Sequence, residues 1–349
     1  MLRRVIRSSA VAVAAVGLLA GCAAPSPQGS SGPETPEAPA TVAAPLTGMQ
    51  YLPADLAHPA LSAKIDNHED ARPQWGLEKT DIVFEELVEG GLTRYVAVWH
   101  SQVPNSIGPV RSIRPMDPDI ITPFGGIVAY SGGQQKFVSM MKATPIYNAV
   151  HGASDTSNFM YRSDKRDAPH NVVVKAKELV ASKATLTAPQ TMFTFAKDAQ
   201  SATAVVSGNE TKAIKVTFSG ERYPTWNWDA ASQTYLRSQQ GKVDKDTTGK
   251  PFSATNVITM SMQISRQYGY VPKTIMVGKG KGTISTGGKT IAVNWSKASR
   301  EAPIVYTDAA GAVVSLAPGN TWIEMPPTYG SVKLVAAPKP ATATPTPSK

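Results

Sequence analysis

The chain has 349 residues, with 35 lysines and arginines against 26 aspartates and glutamates, and a formal net charge of +9 at pH 7. Its basic residues are spread along the chain rather than gathered in one block, and no recognisable nucleic-acid module is present, so we expect no nucleic-acid partner. A single cysteine excludes intramolecular disulfides, and the five histidines show no ligand-like spacing, which argues against a histidine-rich metal site.

The N-terminal segment has the pattern of an export signal. Three arginines among the first seven residues precede an uncharged apolar run from Ser8 to Ala20, and Gly21 and Cys22 follow it. The run is several residues short of the about 20 that a transmembrane helix needs, so it is typical of a secretory signal. Leu19-Ala20-Gly21-Cys22 also closely resembles the lipobox of bacterial lipoproteins.

The lipobox resemblance implies removal of a signal peptide, residues 1–21, and attachment of diacylglycerol and acyl chains such as palmitate at Cys22. The mature protein would then be anchored through acylated Cys22 to membrane lipid, on the extracytoplasmic face of the cell membrane. With that thiol acylated, no cysteine remains for zinc binding or nucleophilic catalysis.

Two biased segments frame the part of the chain that we expect to fold. Residues 22–45 are rich in proline, serine and glycine and have almost nothing to bury, which predicts a disordered linker. Residues 338–349 form a second disordered segment, rich in proline and threonine. The folded region is therefore predicted within residues 46–337.

Residues 46–190 mix strand and helix patterns. The β-branched and aromatic runs Asp81–Val88 and Thr93–His100 flank a Gly-Gly turn and predict a hairpin. Ile127–Ser131 is typical of a buried strand, and Gln134–Ala143 and Lys175–Ser182 are helix candidates. This half is therefore predicted to be an α/β-like N-terminal domain.

Residues 191–337 change character. Short β-rich runs recur between turn signals, for example Lys215–Phe218, Val257–Met260 and Thr290–Trp295. This half is predicted to be a mostly-β C-terminal domain, so the fold class of the whole chain is α+β. Whether the two halves fold separately is left open.

Arginines dominate the polar clusters of the first half. The planar guanidinium fork suits phosphate or carboxylate recognition, so several arginines together could line an anion site. In the alternative interpretation, each arginine pairs with a neighbouring acid and only fixes a loop. The candidate ligand-binding residues are Arg94, Arg111, Arg114, Arg162 and Arg166, with Asp66 and Asn67 in an adjacent cluster.

The acids and histidines offer a catalytic alternative. Asp81 and Glu85 lie four residues apart on one face of the first hairpin strand, where they could ligate Mg²⁺ or Ca²⁺ or could instead pair with basic residues across the strands. His170 could be a general base or a hydrogen-bonded loop residue. No metal site is firmly indicated, and Mg²⁺ belongs only to this catalytic alternative.

The clusters together resemble the YerB-like bacterial lipoproteins, a family of unknown function. The resemblance rests on Ile65-Asp66-Asn67-His68, Ala71-Arg72-Pro73-Gln74, Thr80–Glu85, Val88–Arg94, Ile107–Pro115, Ala168-Pro169-His170-Asn171, Asn256-Val257-Ile258 and Pro318–Ile323. It implies a two-part extracytoplasmic architecture and supplies no catalytic residues.

A looser likeness is to the LytR-CpsA-Psr phosphotransferases, which bind polyprenyl pyrophosphate through arginines and a divalent ion. Under that likeness Asp81 is the metal-side aspartate, and Arg111 and Arg114 form the phosphate clamp. The usual Pro-Arg-Asp triplet of those enzymes is replaced here by Val110-Arg111-Ser112.

Three functions follow from these patterns. The leading one is a membrane-anchored lipoprotein that binds an anionic cell-envelope ligand, an envelope polymer or a lipid-linked phosphate, through its arginines. The second is a metal-assisted phosphotransferase or hydrolase acting on lipid-linked pyrophosphates, with Asp81 and Glu85 on the metal and His170 as base. The third is a structural envelope assembly protein. The sequence leaves open whether the protein is an enzyme.

Overall fold

Short strands separated by glycine- and proline-containing turns make up most of the regular structure. The computed structural model describes residues 39–337. Cys22, the signal peptide and the C-terminal tail lie outside the described residues. Within residues 39–337, the strands are, in chain order, β1 (Val42–Ala43), β2 (Gln50–Tyr51), β3 (Leu61–Asp66), β4 (Ile82–Leu87), β5 (Thr93–Trp99), β6 (Ser106–Ile107), β7 (Ile127–Tyr130), β8 (Tyr147–Val150), β9 (Met160–Arg162), β10 (Val172–Lys175), β11 (Asn209–Glu210), β12 (Ala213–Thr217), β13 (Thr225–Asp229), β14 (Thr234–Gln239), β15 (Lys242–Val243), β16 (Ser253–Ala254), β17 (Asn256–Met260), β18 (Ile264–Tyr268), β19 (Val271–Thr274), β20 (Gly278–Thr286), β21 (Lys289–Lys297), β22 (Val305–Thr307), β23 (Thr321–Met325) and β24 (Ser331–Val335).

The helices are short. The α-helices of the described part are α1 (Asp117–Ile121), α2 (Gln135–Lys142), α3 (Ala176–Ser182) and α4 (Thr203–Ser207). Single 3₁₀ turns occur at Pro53–Leu56, Glu69–Ala71, Leu77–Lys79, Glu89–Gly91, Thr122–Phe124 and Ser154–Thr156.

One mixed sheet of 11 strands organises the fold. Its order is β11-β21-β20-β17-β23-β4-β5-β3-β7-β8, with β22 added beside β21. Strand β23 lies between β17 and β4 and runs parallel to both. Because β3, β4, β5, β7 and β8 come from the first half of the chain and the remaining strands from the second, both halves contribute to one continuous sheet.

The two faces of this sheet bury different partners, as the two-residue period of a strand requires. Ile82 and Phe84 of β4 pack on one face with α1 and α2, while Val83 and Leu87 pack on the other. The second face is covered by a six-stranded sheet, ordered β15-β14-β13-β12-β24 with β16 beside β14. Trp226 of that second sheet contacts Trp322 of β23, with ring centroids 5.1 Å apart. The core is therefore two layers, one on each side of the large sheet.

The fold is mostly β with short helices. The predicted hairpin is confirmed, because β4 and β5 pair antiparallel from Ile82 opposite Val98 to Leu87 opposite Thr93. The turn between them needs Gly90 and Gly91, whose φ angles are +69° and +74°. Strands dominate both halves of the chain, so the structure does not clearly show the predicted contrast between an α/β-like first half and a mostly-β second half. The boundary at residue 190 stays a prediction.

Candidate functional site

Charged side chains gather where β3 and β4 end and β5 begins. Arg94 of β5 stands opposite Asp66 of β3 and Glu86 of β4. Because alternate residues share a face, Lys64, Asp66, Glu86 and Arg94 all point to the helix-covered side of the sheet. At this end of the sheet, charged side chains take the positions that apolar core residues occupy elsewhere on the same face.

A cleft of about 310 Å³ opens beside this cluster. We call it the arginine cleft. It is lined by Asp66, His68, Val88, Glu89, Leu92, Thr93, Arg94, Arg111, Arg114, His170 and Tyr270. A larger cavity of about 540 Å³ lies beside β14 and β15, where lysines and aspartates alternate along its wall. The arginine cleft gathers three of the arginines selected from the sequence, Arg94, Arg111 and Arg114.

Two of the cleft arginines face carboxylates. Arg111 Nε lies 3.1 Å from Asp66 Oδ2. Arg114 Nε donates to Glu89 Oε2 at 2.8 Å. The Coulomb attraction of these pairs fixes the two guanidinium groups at the wall of the cleft.

Arg94 differs from Arg111 and Arg114 in its hydrogen-bond partner, which is a backbone carbonyl and not a carboxylate. It is 9% exposed, and its Nη1 donates to the carbonyl of Ser112 at 3.0 Å. No carboxylate oxygen within residues 39–337 lies within 4.0 Å of its guanidinium nitrogens. Burial, followed by the neighbouring Arg114 and Arg111, lowers the pKa of Arg94 to about 10. An anion in the cleft would raise this pKa again, because it would add a negative charge beside Arg94 to the more distant ones of Asp66 and Glu89.

The loop that carries Arg111 and Arg114 is held by backbone hydrogen bonds to the segments on either side of it. Arg111 N donates to the carbonyl of Lys64 at 2.8 Å, and Ser131 N donates to the carbonyl of Arg111 at 2.9 Å. The carbonyl of Ser112 then accepts from both Arg94 and Arg114. Two arginines three residues apart thus line one cleft, so the segment between them does not keep the strict side-to-side alternation of a strand.

Buried charges lie beneath the loop. Asp117 Oδ2 accepts from Arg114 N at 2.5 Å, and Lys64 Nζ donates to Asp117 Oδ1 at 2.7 Å. Lys64 Nζ also contacts the carboxylate of Glu86. These groups tie the loop to β3 and β4 and so position the arginines.

A histidine pair lies at the edge of the cleft. His170 Nδ1 is 2.7 Å from Asp66 Oδ2, and its ring stacks on that of His68 with centroids 4.5 Å apart. His170 was selected from the sequence as a base candidate. His68 was missed as a functional residue, because only the tertiary fold brings it to His170.

The remaining ligand-binding candidates lie elsewhere. Arg162 Nη1 donates to Asn171 Oδ1 at 2.7 Å. Arg166 stacks 3.8 Å above the centre of the Trp75 ring and donates to the carbonyl of Ala71. Asn67 is buried and bonds Glu85, Thr93 and Gln239. The structure therefore gathers three of the five arginines into the cleft, with Asp66 and without Asn67.

The structure does not bring Asp81 and Glu85 to a common site. Strand β4 begins after Asp81, whose carboxylate accepts from His100 N at 2.8 Å and Ser101 N at 2.7 Å. Glu85 points between the two sheets, where its Oε2 contacts Arg237 of β14 at 2.5 Å. Neither the metal pair nor a simple cross-strand ion pair describes this geometry.

The Asp81 contacts give a pH prediction. Burial raises the pKa of Asp81 to about 6 from 3.8, so the folded state holds this proton more tightly than the unfolded state. The contribution to stability is present below pH 4 and is lost as pH rises from about 4 to 6, by about 3 kcal/mol. Urea unfolding at pH 4 and pH 7 should show this loss in the wild type and its absence in Asp81→Asn. The exposed Asp55→Asn is the control, and an equal pH dependence in all three proteins would contradict the prediction.

Sequence comparison identifies the family. Residues 46–190 match the N-terminal domain, and residues 214–323 the C-terminal domain, of a protein family of unknown function, DUF3048. The chain belongs to this family. The expected YerB-like relationship is confirmed, since the chain is 29% identical over 297 residues to the predicted lipoprotein YerB of Bacillus subtilis (strain 168), covering 81% of this chain and 86% of YerB.

A solved relative shares the fold of this family member. The crystal structure of YerB from Bacillus subtilis superposes with a TM-score of 0.71, covering 84% of this chain and 99% of that chain at 24% identity. Among the residues described, none of the helices has the length and apolar character needed to cross a bilayer.

Proposed function

We propose that this protein is a membrane-anchored lipoprotein that binds an anionic, phosphate-bearing ligand of the cell envelope in the arginine cleft. The observation that carries the proposal is Arg94, a buried guanidinium without a carboxylate partner among the described residues. A buried charge is stable only when it is paired or well hydrogen-bonded, and a bound anion would complete the pairing.

The charge of the cleft supports an anionic ligand. Its wall holds the guanidinium groups of Arg94, Arg111 and Arg114 against the carboxylates of Asp66 and Glu89. One positive charge is therefore in excess even when the histidines are neutral. Guanidinium forks bind phosphate oxygens in pairs, and a cleft of about 310 Å³ accommodates a pyrophosphate group.

Two observations support the proposed lipid anchor, one from the sequence and one from the similarity to YerB. The Leu19–Cys22 segment resembles a lipobox, and YerB is named as a predicted lipoprotein. A lipid anchor at Cys22 would place the arginine cleft on the extracytoplasmic side, near lipid-linked phosphates and anionic wall polymers.

Titration calorimetry with inorganic pyrophosphate, with and without Mg²⁺, tests the cleft in the full chain held in an uncharged detergent. We expect Arg94→Gln to weaken binding by about 10- to 100-fold, because each hydrogen bond to a charged group contributes about 1.5–3 kcal/mol. Wild-type binding should also weaken as ionic strength rises. Polyprenyl phosphate in the same detergent then distinguishes a lipid-linked ligand from a free anion.

The matched control is Arg162→Gln, which removes an exposed arginine outside the cleft. It should bind pyrophosphate like the wild type. Absence of binding in the wild type, or equal losses in both variants, would overturn the proposal and favour a structural role in the envelope.

A second candidate is phosphotransfer or hydrolysis at the same cleft. It is favoured by the contact of His170 with Asp66, which holds an imidazole at the cleft edge as a general base is held in many enzymes. Formation of the lipid monophosphate from a lipid-linked pyrophosphate would separate turnover from binding, with inorganic phosphate released in hydrolysis and a phosphorylated acceptor formed in phosphotransfer.

A further inference from the structure

The rim of the arginine cleft holds a group of metal-ligating side chains. His68, Asp70 and His170 each offer one nitrogen or oxygen ligand atom, and these atoms all lie within 4.8 Å of one another. Asp70 belongs to the 3₁₀ turn Glu69–Ala71, and His68 is its N-cap. His170 comes from a distant loop, so the group exists only in the folded protein.

We propose that His68, Asp70 and His170 bind one Zn²⁺ ion. Two imidazole nitrogens and one carboxylate oxygen form the ligand set of an open zinc site, in which a fourth position remains for water or a substrate oxygen. His68 and His170 also line the arginine cleft, so the ion would sit at its rim.

His170 is already oriented for this role. Its Nδ1 lies 2.7 Å from Asp66 Oδ2, and both side chains are largely buried. In a neutral ring the Nδ1 hydrogen is donated to this carboxylate, which leaves the Nε2 lone pair free for a metal. A carboxylate behind a histidine is the usual outer support of a zinc ligand, because it fixes the tautomer and the ring orientation.

His68 supplies the second argument. Its Nδ1 accepts a hydrogen bond from Asp70 N at 3.3 Å, which requires an unprotonated Nδ1. The same nitrogen lies 3.3 Å from Asp70 Oδ2. A separation of 3.3 Å between a nitrogen and a carboxylate oxygen suits two ligands of one tetrahedral ion, and a cation bound to Nδ1 would take the place of the weak hydrogen bond from Asp70 N.

Zinc calorimetry on the full chain tests the site. Every sample carries Cys22→Ser and no polyhistidine tag, so that neither a thiol nor a tag competes, and is first freed of metal with EDTA. We expect one Zn²⁺ per chain and an X-ray absorption spectrum with two imidazole ligands. His68→Gln and Asp70→Asn should abolish tight binding, and Asp66→Asn should weaken it by about 10- to 100-fold through its effect on His170.

The matched control is His151→Gln, which removes a half-buried histidine outside the group and should leave zinc binding unchanged. Asp70 is exposed, so Asp70→Asn tests the site without disturbing the core. No saturable zinc binding, or wild-type affinity in both His68→Gln and Asp70→Asn, would overturn the inference.

The proposed zinc site and the proposed anion site can be tested independently of each other. Pyrophosphate binding measured in EDTA on the wild type, Arg94→Gln and Arg162→Gln tests the anion site without zinc, whereas zinc binding measured without pyrophosphate tests the metal site. A protein that binds pyrophosphate and no zinc refutes only the metal site, and the reverse result refutes only the anion site.

Discussion

Replacing Arg237 by alanine is expected to lower the free energy of unfolding by about 3–5 kcal/mol. Arg237 is fully buried between the two sheets, where its guanidinium contacts the carboxylates of Glu85 and Asp244 and lies 3.9 Å from Glu324. Without it, these buried carboxylates would lose their cation. The guanidinium also lies 5.2 Å from the centre of the Trp322 ring, so the truncation removes packing as well.

Glu324 is the third carboxyl group of this cluster. Burial, followed by repulsion from Glu85, raises the pKa of Glu324 well above its usual range. Its Oε1 accepts a hydrogen bond from Trp226 Nε1 at 2.7 Å. The raised pKa favours the neutral form of Glu324, which lowers the negative charge that Arg237 faces.

Urea unfolding followed by tryptophan fluorescence measures the effect. Lys215→Ala is the control, because Lys215 is an exposed basic residue of β12 in the same second sheet and should change stability by less than about 0.5 kcal/mol. The double variant Arg237→Met with Glu85→Gln should recover part of the loss, since it removes a charge together with its partner. A loss below about 1 kcal/mol in Arg237→Ala would show that the cluster is not a buried ion network.

The second large effect is expected at Lys64. Its Nζ contacts the carboxylates of Glu86 and Asp117, and all three side chains are fully buried. Lys64→Met keeps the length of the side chain and removes the charge, which leaves two buried carboxylates facing each other. We expect the free energy of unfolding to fall by about 3–5 kcal/mol.

Chemical denaturation of Lys64→Met measures this loss. Lys142→Met is the control, because Lys142 is exposed, and it should change the free energy of unfolding by less than about 0.5 kcal/mol. Adding Glu86→Gln to Lys64→Met should restore part of the stability, because one of the uncompensated charges is then gone. An equal loss with and without Glu86→Gln would contradict the electrostatic cause.

Local patterns predicted the local structure well. The β-branched runs around the Gly-Gly turn gave the β4–β5 hairpin, because alternation and turn chemistry are encoded within a few residues. The sequence predicts Arg94, Arg111 and Arg114 as ligand-binding candidates, together with Arg162 and Arg166, because guanidinium groups suit phosphate or carboxylate recognition. That they line one cleft with Asp66 follows from strand register and from the backbone hydrogen bonds of the loop to Lys64 and Ser131, which the sequence does not state.

Distant contacts account for what the sequence could not predict. Glu85 was assigned the correct strand, yet its partner Arg237 lies in another sheet, more than a hundred residues away. His68 and His170 show no ligand-like spacing, since their meeting depends on the packing of a distant loop against the end of β3. Asp81 was placed on the face of Glu85, but the strand starts one residue later and its carboxylate turns to His100 and Ser101 instead.

The position of β23 decides when this chain can finish folding. This strand is contributed by residues near the C-terminal end of the described part and completes the hydrogen bonds of both β17 and β4. A growing chain therefore carries two open strand edges in the middle of its future sheet until residue 325 has emerged. The large sheet can therefore close only after residue 325 has been synthesised, because the strand that joins its two halves is among the last to be made.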